Sequence, residues 1–207
     1  MTEGFGRLSG ISEKARREEV VAIESEPEEK TPEKKKIKKE LIIVVPKNFE
    51  LTQEKFRDAL ETICLRCQPQ DGIEALRQSG FDYEAERVYP TPIYIRAGEI
   101  IGTESVAGWS GLVDGVGENQ KIVGRTQKLK QAFGNAREIL EMKPDERNHI
   151  LDGIELAMKG SGAFRSFYVD SDGRHRIFTL KGLAEMGCDV TISGMKVAPL
   201  TRGSFTL

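Results

Sequence analysis

From Glu24 to Lys39 the chain passes from an acidic block (Glu24, Glu26, Glu28, Glu29) through two prolines into a lysine block (Lys34, Lys35, Lys36, Lys38, Lys39). This stretch holds almost no apolar surface to set against the entropy of ordering it, so it reads as a solvated arm that delivers the protein to a partner. Any folded core must begin after it. With residues 1–40 assigned to the arm, the rest of the 207-residue chain suits one domain, and two would be cramped.

The charge balance limits what the arm can be for. Residues 1–40 carry ten basic and ten acidic side chains, and the remainder carries 21 basic against 23 acidic. A protein that coats nucleic acid by bulk charge is strongly basic, so binding to phosphate here has to come from local patches. Cys64, Cys67 and Cys188 make an odd count, and no apolar run approaches the roughly 20 residues of a membrane span. The start MTEGFGRLSG lacks the apolar core of a secretory signal. These features predict a soluble protein of a reducing compartment, the cytoplasm or, since KKKIKK resembles an import signal, the nucleus.

Within the arm, residues 12–23 fit a short helix capped by Ser12, marginal unless a partner or the domain orders it. The domain is expected over residues 41–207. Leu41 to Val45 form a continuous β-rich run, stopped by Pro46, which predicts a strand covered on both faces. Thr52 can cap the helix that follows, Leu51 and Phe56 suit a hydrophobic staple, and Phe56, Ala59, Leu60, Ile63, Cys64 and Cys67 share one face. Asp71 with Glu74 suggests a capping pair for a short helix ending near Gly80. Residues 88–101 alternate but contain Pro90 and Pro92, which predicts an edge strand or extended lip with a turn at Ala97 and Gly98.

A glycine-rich loop is expected over residues 102–117, followed by a helix from Asn119 to Leu140 and a second from Pro144 to Gly160, the two forming a helical hairpin. Asp170, Ser171, Asp172 and Gly173 between Ala163–Val169 and Arg174–Leu180 predict a β-hairpin. A short helix from Leu180 to Met186 and a strand around Val190 to Ile192 complete the pattern. The expectation is an α+β fold: a single compact domain with amphipathic helices and a small, mostly antiparallel sheet, preceded by a disordered charged N-terminal arm.

No catalytic, metal or cofactor motif stands up. Cys64-x-x-Cys67 sits late on the apolar face of a helix, where neither a redox pair nor a four-ligand zinc site is at home. In the EF-hand register Thr179 occupies the position that needs a bidentate Glu. Gly111, Gly115 and Gly117 precede a helix without the GK[ST] of a phosphate loop, and Ser110 misses the nucleophile elbow by one position. His149 lacks H-E-x-x-H. No cofactor and no metal site is expected.

Two basic features remain. Between Asn119 and Arg137 there is no acidic residue, while Lys121, Arg125, Lys128, Lys130 and Arg137 surround an apolar stripe. A helix of that kind docks on phosphates, on an anionic membrane surface or in a partner groove, although a charged face is also the norm for a core helix. In the expected hairpin, Arg165, Arg174, His175 and Arg176 alternate with aromatic residues, a composition that suits unstacked bases if the rings face outward and plain core packing if they do not.

The sequence therefore predicts a non-enzymatic structural or assembly protein that self-associates along the 88–101 edge. Its partner is an anionic polymer or surface, RNA or membrane, held by the lysine arm (Lys34, Lys35, Lys36, Lys38, Lys39), the basic helix, and Arg165, Arg174 and Arg176. In size, charged arm and missing catalytic motif this profile is similar to that of viral matrix and nucleocapsid-associated proteins, which makes a virion component one expectation. The alternatives are an adaptor that uses the arm as a recognition peptide for a protein partner, and an enzyme whose site gathers Arg125, His149 and the 174–176 segment near the glycine loop.

Overall fold

The Thr52 hydroxyl accepts the Lys55 amide at 3.3 Å, and Leu51 packs against the core in which Phe56 is fully buried. The first helix thus starts where its cap and staple place it. The computed structural model describes residues 38–66, 72–83, 93–104, 109, 118–170 and 172–202, without the side chains of 118–126. The segment Met1–Lys35 lies outside these residues, and so do the predicted arm helix, Asp71, Cys67, Pro90 and Pro92.

In chain order the elements are β1 (Glu40–Val44), α1 (Gln53–Arg66), α2 (Ile73–Gln78), β2 (Phe81–Tyr83), β3 (Ile95–Arg96), β4 (Ile100–Thr103), α3 (Glu118–Glu141), α4 (Pro144–Arg147), β5 (Glu155–Lys159), β6 (Ser166–Val169), α5 (Arg174–Glu185), β7 (Asp189–Ser193) and β8 (Lys196–Arg202). The fold is α+β, one compact domain with two sheets. One is three-stranded and antiparallel, ordered β1-β7-β3, and the other is five-stranded and mixed, ordered β2-β8-β5-β6-β4. Four of the six strand pairings are antiparallel; β4 with β6 and β5 with β8 are parallel.

The main core joins both sheets to α1, α3 and α5, through Leu41, Ile95, Ile100, Leu156, Phe167, Val190 and Ile192 from the strands and Phe56, Leu60, Ala136, Ile177 and Leu180 from the helices. On the other face of the larger sheet, α2 sets Ile73 and Leu76 on Ala157, Tyr168 and Leu200. The predicted turn at Ala97 and Gly98 is a 3-10 turn, Ala97–Glu99, and it carries the chain from the edge of one sheet to the edge of the other. The buried Lys181 ammonium, from α5, donates to the carbonyl oxygens of Ala97 (3.3 Å) and Ile100 (2.6 Å) and so pins that crossing.

Three expectations are corrected. The helix expected from Pro144 to Gly160 stops at Arg147, turns through a 3-10 segment at Asn148–Leu151, and after Gly153 (φ 72°) becomes β5. Ile150, Leu151, Ile154, Ala157 and Met158 keep helical spacing, but a strand buried on both faces needs no alternation. A strand hydrogen-bonded on both sides, with Leu156 and Ala157 buried on opposite faces, decides it.

The hairpin expected around Asp172 and Gly173 is instead β6 followed by α5. Gly173 takes the left-handed conformation (φ 107°), a Cβ there would collide with Ile154, and Ile177, Phe178, Leu180 and Leu183 then bury at helical spacing. The short helix expected near Leu180 to Met186 is the second half of α5. Finally, β1 is not covered on both faces: Leu41 is 3% exposed but Ile42 and Val44 are 44% and 57% exposed, because they alternate to the face of the strand away from the core.

Gly182 sets how closely α1 and α5 approach. A Cβ on it would lie 2.6 Å from Leu60 Cδ2 and 2.7 Å from Phe56 Cε2, both fully buried side chains with no room to move. Gly182→Val is expected to lower stability by about 2–3 kcal/mol, read as a shifted urea midpoint at unchanged slope. An unchanged midpoint would mean that the helices do not cross this closely.

The cysteines behave as packing residues. Cys188 is 5% exposed and burial pushes its thiol up to about 11, while Cys64 is partly buried against the same core. Iodoacetamide at pH 8 is therefore expected to leave Cys188 unlabelled in the native protein and to label it after denaturation, read by peptide mass spectrometry. Native labelling of Cys188 at the rate of a free thiol would contradict this packing.

Candidate anion-binding surface

The basic residues of α3 divide between two sides of the helix. Lys130 and Arg137 are exposed and lie seven residues apart on one side, with the Arg137 guanidinium 5.1 Å from the centre of the Phe133 ring. Lys128 lies on the other side, in line with Gln131, Ala132 and Asn135, which face α5. There the two helices enclose a groove of about 200 Å³ lined by Gln131, Ala132, Asn135, His175, Phe178 and Thr179.

The first turn of α5 supplies the remaining charge. Arg174 and His175 are exposed at its start, and the Thr179 hydroxyl donates to the His175 carbonyl at 3.0 Å. The His175 imidazole is held below its ordinary range, first by partial burial in the groove and then by the positive charges of Arg174 and Lys128. Of the three cations His175 lines the groove, and Lys128 and Arg174 lie close enough to it, from two helices, for their charges to act on its imidazole. Chemically the arrangement can accept an anion, with one titratable and two permanent donors.

The other predicted residues have different surroundings. Lys39 donates to the Leu151 carbonyl at 3.1 Å and lies 3.5 Å from Asp152, and Arg176 donates to the carbonyls of Ile150 and Asp152, both at 2.7 Å. These two cations, with Asn148 accepting the Leu41 amide at 2.9 Å, tie β1 and α5 to the turn after α4. Arg165 bonds the Tyr94 carbonyl at 2.9 Å and pairs with Glu99 at 3.4 Å. Lys38 is exposed, with Asp145 at 4.0 Å. Lys34, Lys35 and Lys36, and the side chains of Lys121 and Arg125, lie outside the described residues.

His149 hydrogen-bonds Asp152 at 3.1 Å on the exposed turn rather than in a cleft; that bond, with Lys39 nearby, holds the Asp152 carboxyl below its ordinary value. No group of three His, Cys, Asp or Glu side chains that could hold a metal ion occurs among the described residues, and no helix there is long and apolar enough to cross a membrane. Trp109, from the glycine-rich segment, is buried, stacks on Phe178 at 5.9 Å and donates to the Ile101 carbonyl at 2.9 Å.

Sequence reasoning missed Gln131 and Asn135, the polar lining of the groove. Their four-residue spacing beside Lys128 was the available signal, but it gains meaning only once α5 is known to lie opposite. Compared with known proteins, the chain matches no family model, no curated protein and no solved structure.

Proposed function

We propose that this is a non-enzymatic assembly protein that holds an anionic polymer, single-stranded RNA before a membrane surface, at the α3–α5 groove. The observation that carries this reading is His175 in a groove whose other polar lining, Gln131, Asn135 and Thr179, is neutral, with the charges of Lys128 and Arg174 close enough to act on the imidazole. Phosphates on a flexible strand can meet the two permanent cations while the amides reach sugar or base edges. The lysine-rich arm adds salt-sensitive attraction.

His175 makes the reading testable through pH. In the free protein it is held below its ordinary value; a bound phosphate favours the charged imidazole, so binding takes up a proton and tightens as pH falls through the region below about 6.5. The full-length protein is expected to bind a labelled random single-stranded RNA more tightly at pH 5.5 than at pH 7.5, and His175→Gln to abolish the gain. The same shift makes the unfolded chain hold this proton more readily than the native state, so stability declines as pH drops below about 6.5. RNA binding that is absent, or that is displaced by phosphatidylserine vesicles at matched charge, contradicts the RNA reading.

A further inference from the structure

The opposite face of the five-stranded sheet carries a second set of cations, held by rings instead of carboxylates. Phe81 and Tyr83 stand on one face of the edge strand β2, two residues apart and both half-buried against the small core under α2. The Lys159 ammonium, from the end of β5, lies 4.8 Å from the centre of the Phe81 ring, and the Arg202 guanidinium, from the end of β8, lies 5.5 Å from it. Arg77 of α2 lies 4.9 Å over Tyr83. None of the three cations forms an ion pair among the described residues, whereas the neighbouring Lys196 is paired with Glu155 at 3.2 Å. Tyr83 spends its hydroxyl on Asp170.

A cation resting on an aromatic face keeps its outward donors free, and the ring fixes its position at little entropic cost. Residues two apart on a strand are about 6.8 Å apart, so the two rings set two neighbouring cationic positions, Lys159 with Arg202 at Phe81 and Arg77 at Tyr83. That is the order of the spacing between successive phosphates of an extended single strand. A membrane surface fits less well: the one highly exposed large apolar side chain near these cations among the described residues, Phe164 (91%) on the connection between β5 and β6, is a single ring and not the apolar face that such a surface takes.

We infer that Arg77, Lys159 and Arg202, seated on Phe81 and Tyr83, form a second phosphate-contacting surface for single-stranded nucleic acid, on the face of the sheet opposite the α3–α5 groove. The inference rests on the reading that the protein binds such a polymer, and it adds a separate place where it does so.

The test is a salt series on the full-length protein with a labelled uridine oligomer, comparing wild type, Lys159→Gln/Arg202→Gln and Lys128→Gln/Arg174→Gln. Losing two phosphate contacts lowers the slope of log K against log salt by about 1.4 and weakens binding roughly 25-fold at 0.1 M salt. The Lys159→Gln/Arg202→Gln protein is expected to show that loss with unchanged Trp109 emission, which reports an intact core. If it binds as wild type does while the Lys128→Gln/Arg174→Gln protein is weakened, this second surface is refuted and the proposed function stands. If wild type does not bind the oligomer, both are refuted.

Discussion

Trp109→Ala lowers the stability of the domain by about 3–5 kcal/mol, the range for deleting a fully buried large aromatic. Its side chain is 1% exposed, stacked within 10° of parallel on Phe178, and its indole N–H is satisfied by the Ile101 carbonyl. The Lys181 ammonium lies 5.6 Å from the ring, so Trp109 also shields the cation that pins the crossing between the sheets. Removal leaves a cavity beside Phe178, an unpaired carbonyl and a less shielded buried charge. Trp109→Phe keeps the ring contact and loses only the donor, with an expected cost of about 1–2 kcal/mol. Denaturation followed by circular dichroism checks both, and an alanine variant as stable as wild type would show that the segment before α3 does not anchor the core.

Lys128→Gln/Arg174→Gln weakens binding of single-stranded RNA by the full-length protein roughly 25-fold at 0.1 M salt, since each lost phosphate contact removes a factor set by counterion release. Arg174 is exposed, and Lys128 is half-buried with its charged end replaced by a polar one of shorter reach, so the thermal midpoint stays within about a degree or two of wild type. Lys130→Gln/Arg137→Gln removes the same charge from the other side of α3 and serves as the control. Equal weakening by both pairs would mean diffuse attraction to the helix instead of a groove.

The sequence made some of this legible. Thr52, Leu51 and Phe56 mark the start of α1 because caps and staples are local. The long run from Asn119 to Leu140 announces α3 through the helical spacing of Ile122, Leu129, Phe133, Ala136 and Leu140; the structure buries Leu129 and Ala136 of that stripe most deeply, together with Ala132 and Ile139, and leaves Phe133 and Leu140 at its margin. The segments that were misread are short and decided by distant neighbours.

Arg174 to Leu180 alternates well enough to pass for a strand, and only Ile154 beneath Gly173 and Phe56 beneath Gly182 show why it coils. β8 went unnoticed because Pro199 interrupts it; β2 reaches only Leu200–Arg202, so at Pro199 the strand has β5 as its one neighbour and the missing amide costs little. For the same reason the basic residues could be named but not grouped. Lys39, Arg165 and Arg176 share the composition of Lys128 and Arg174 but spend their donors on backbone carbonyls.

The central claim is that phosphate is held by a few placed cations on a chain of near-neutral net charge. It is tested most directly by titrating the full-length protein with a labelled random single-stranded RNA from 50 to 300 mM salt. Two groove contacts alone predict a slope of log K against log salt of about −1.4, and the arm makes it steeper. A slope steeper than about −1.4 supports the account; a slope near zero, or no binding at the lowest salt, contradicts it.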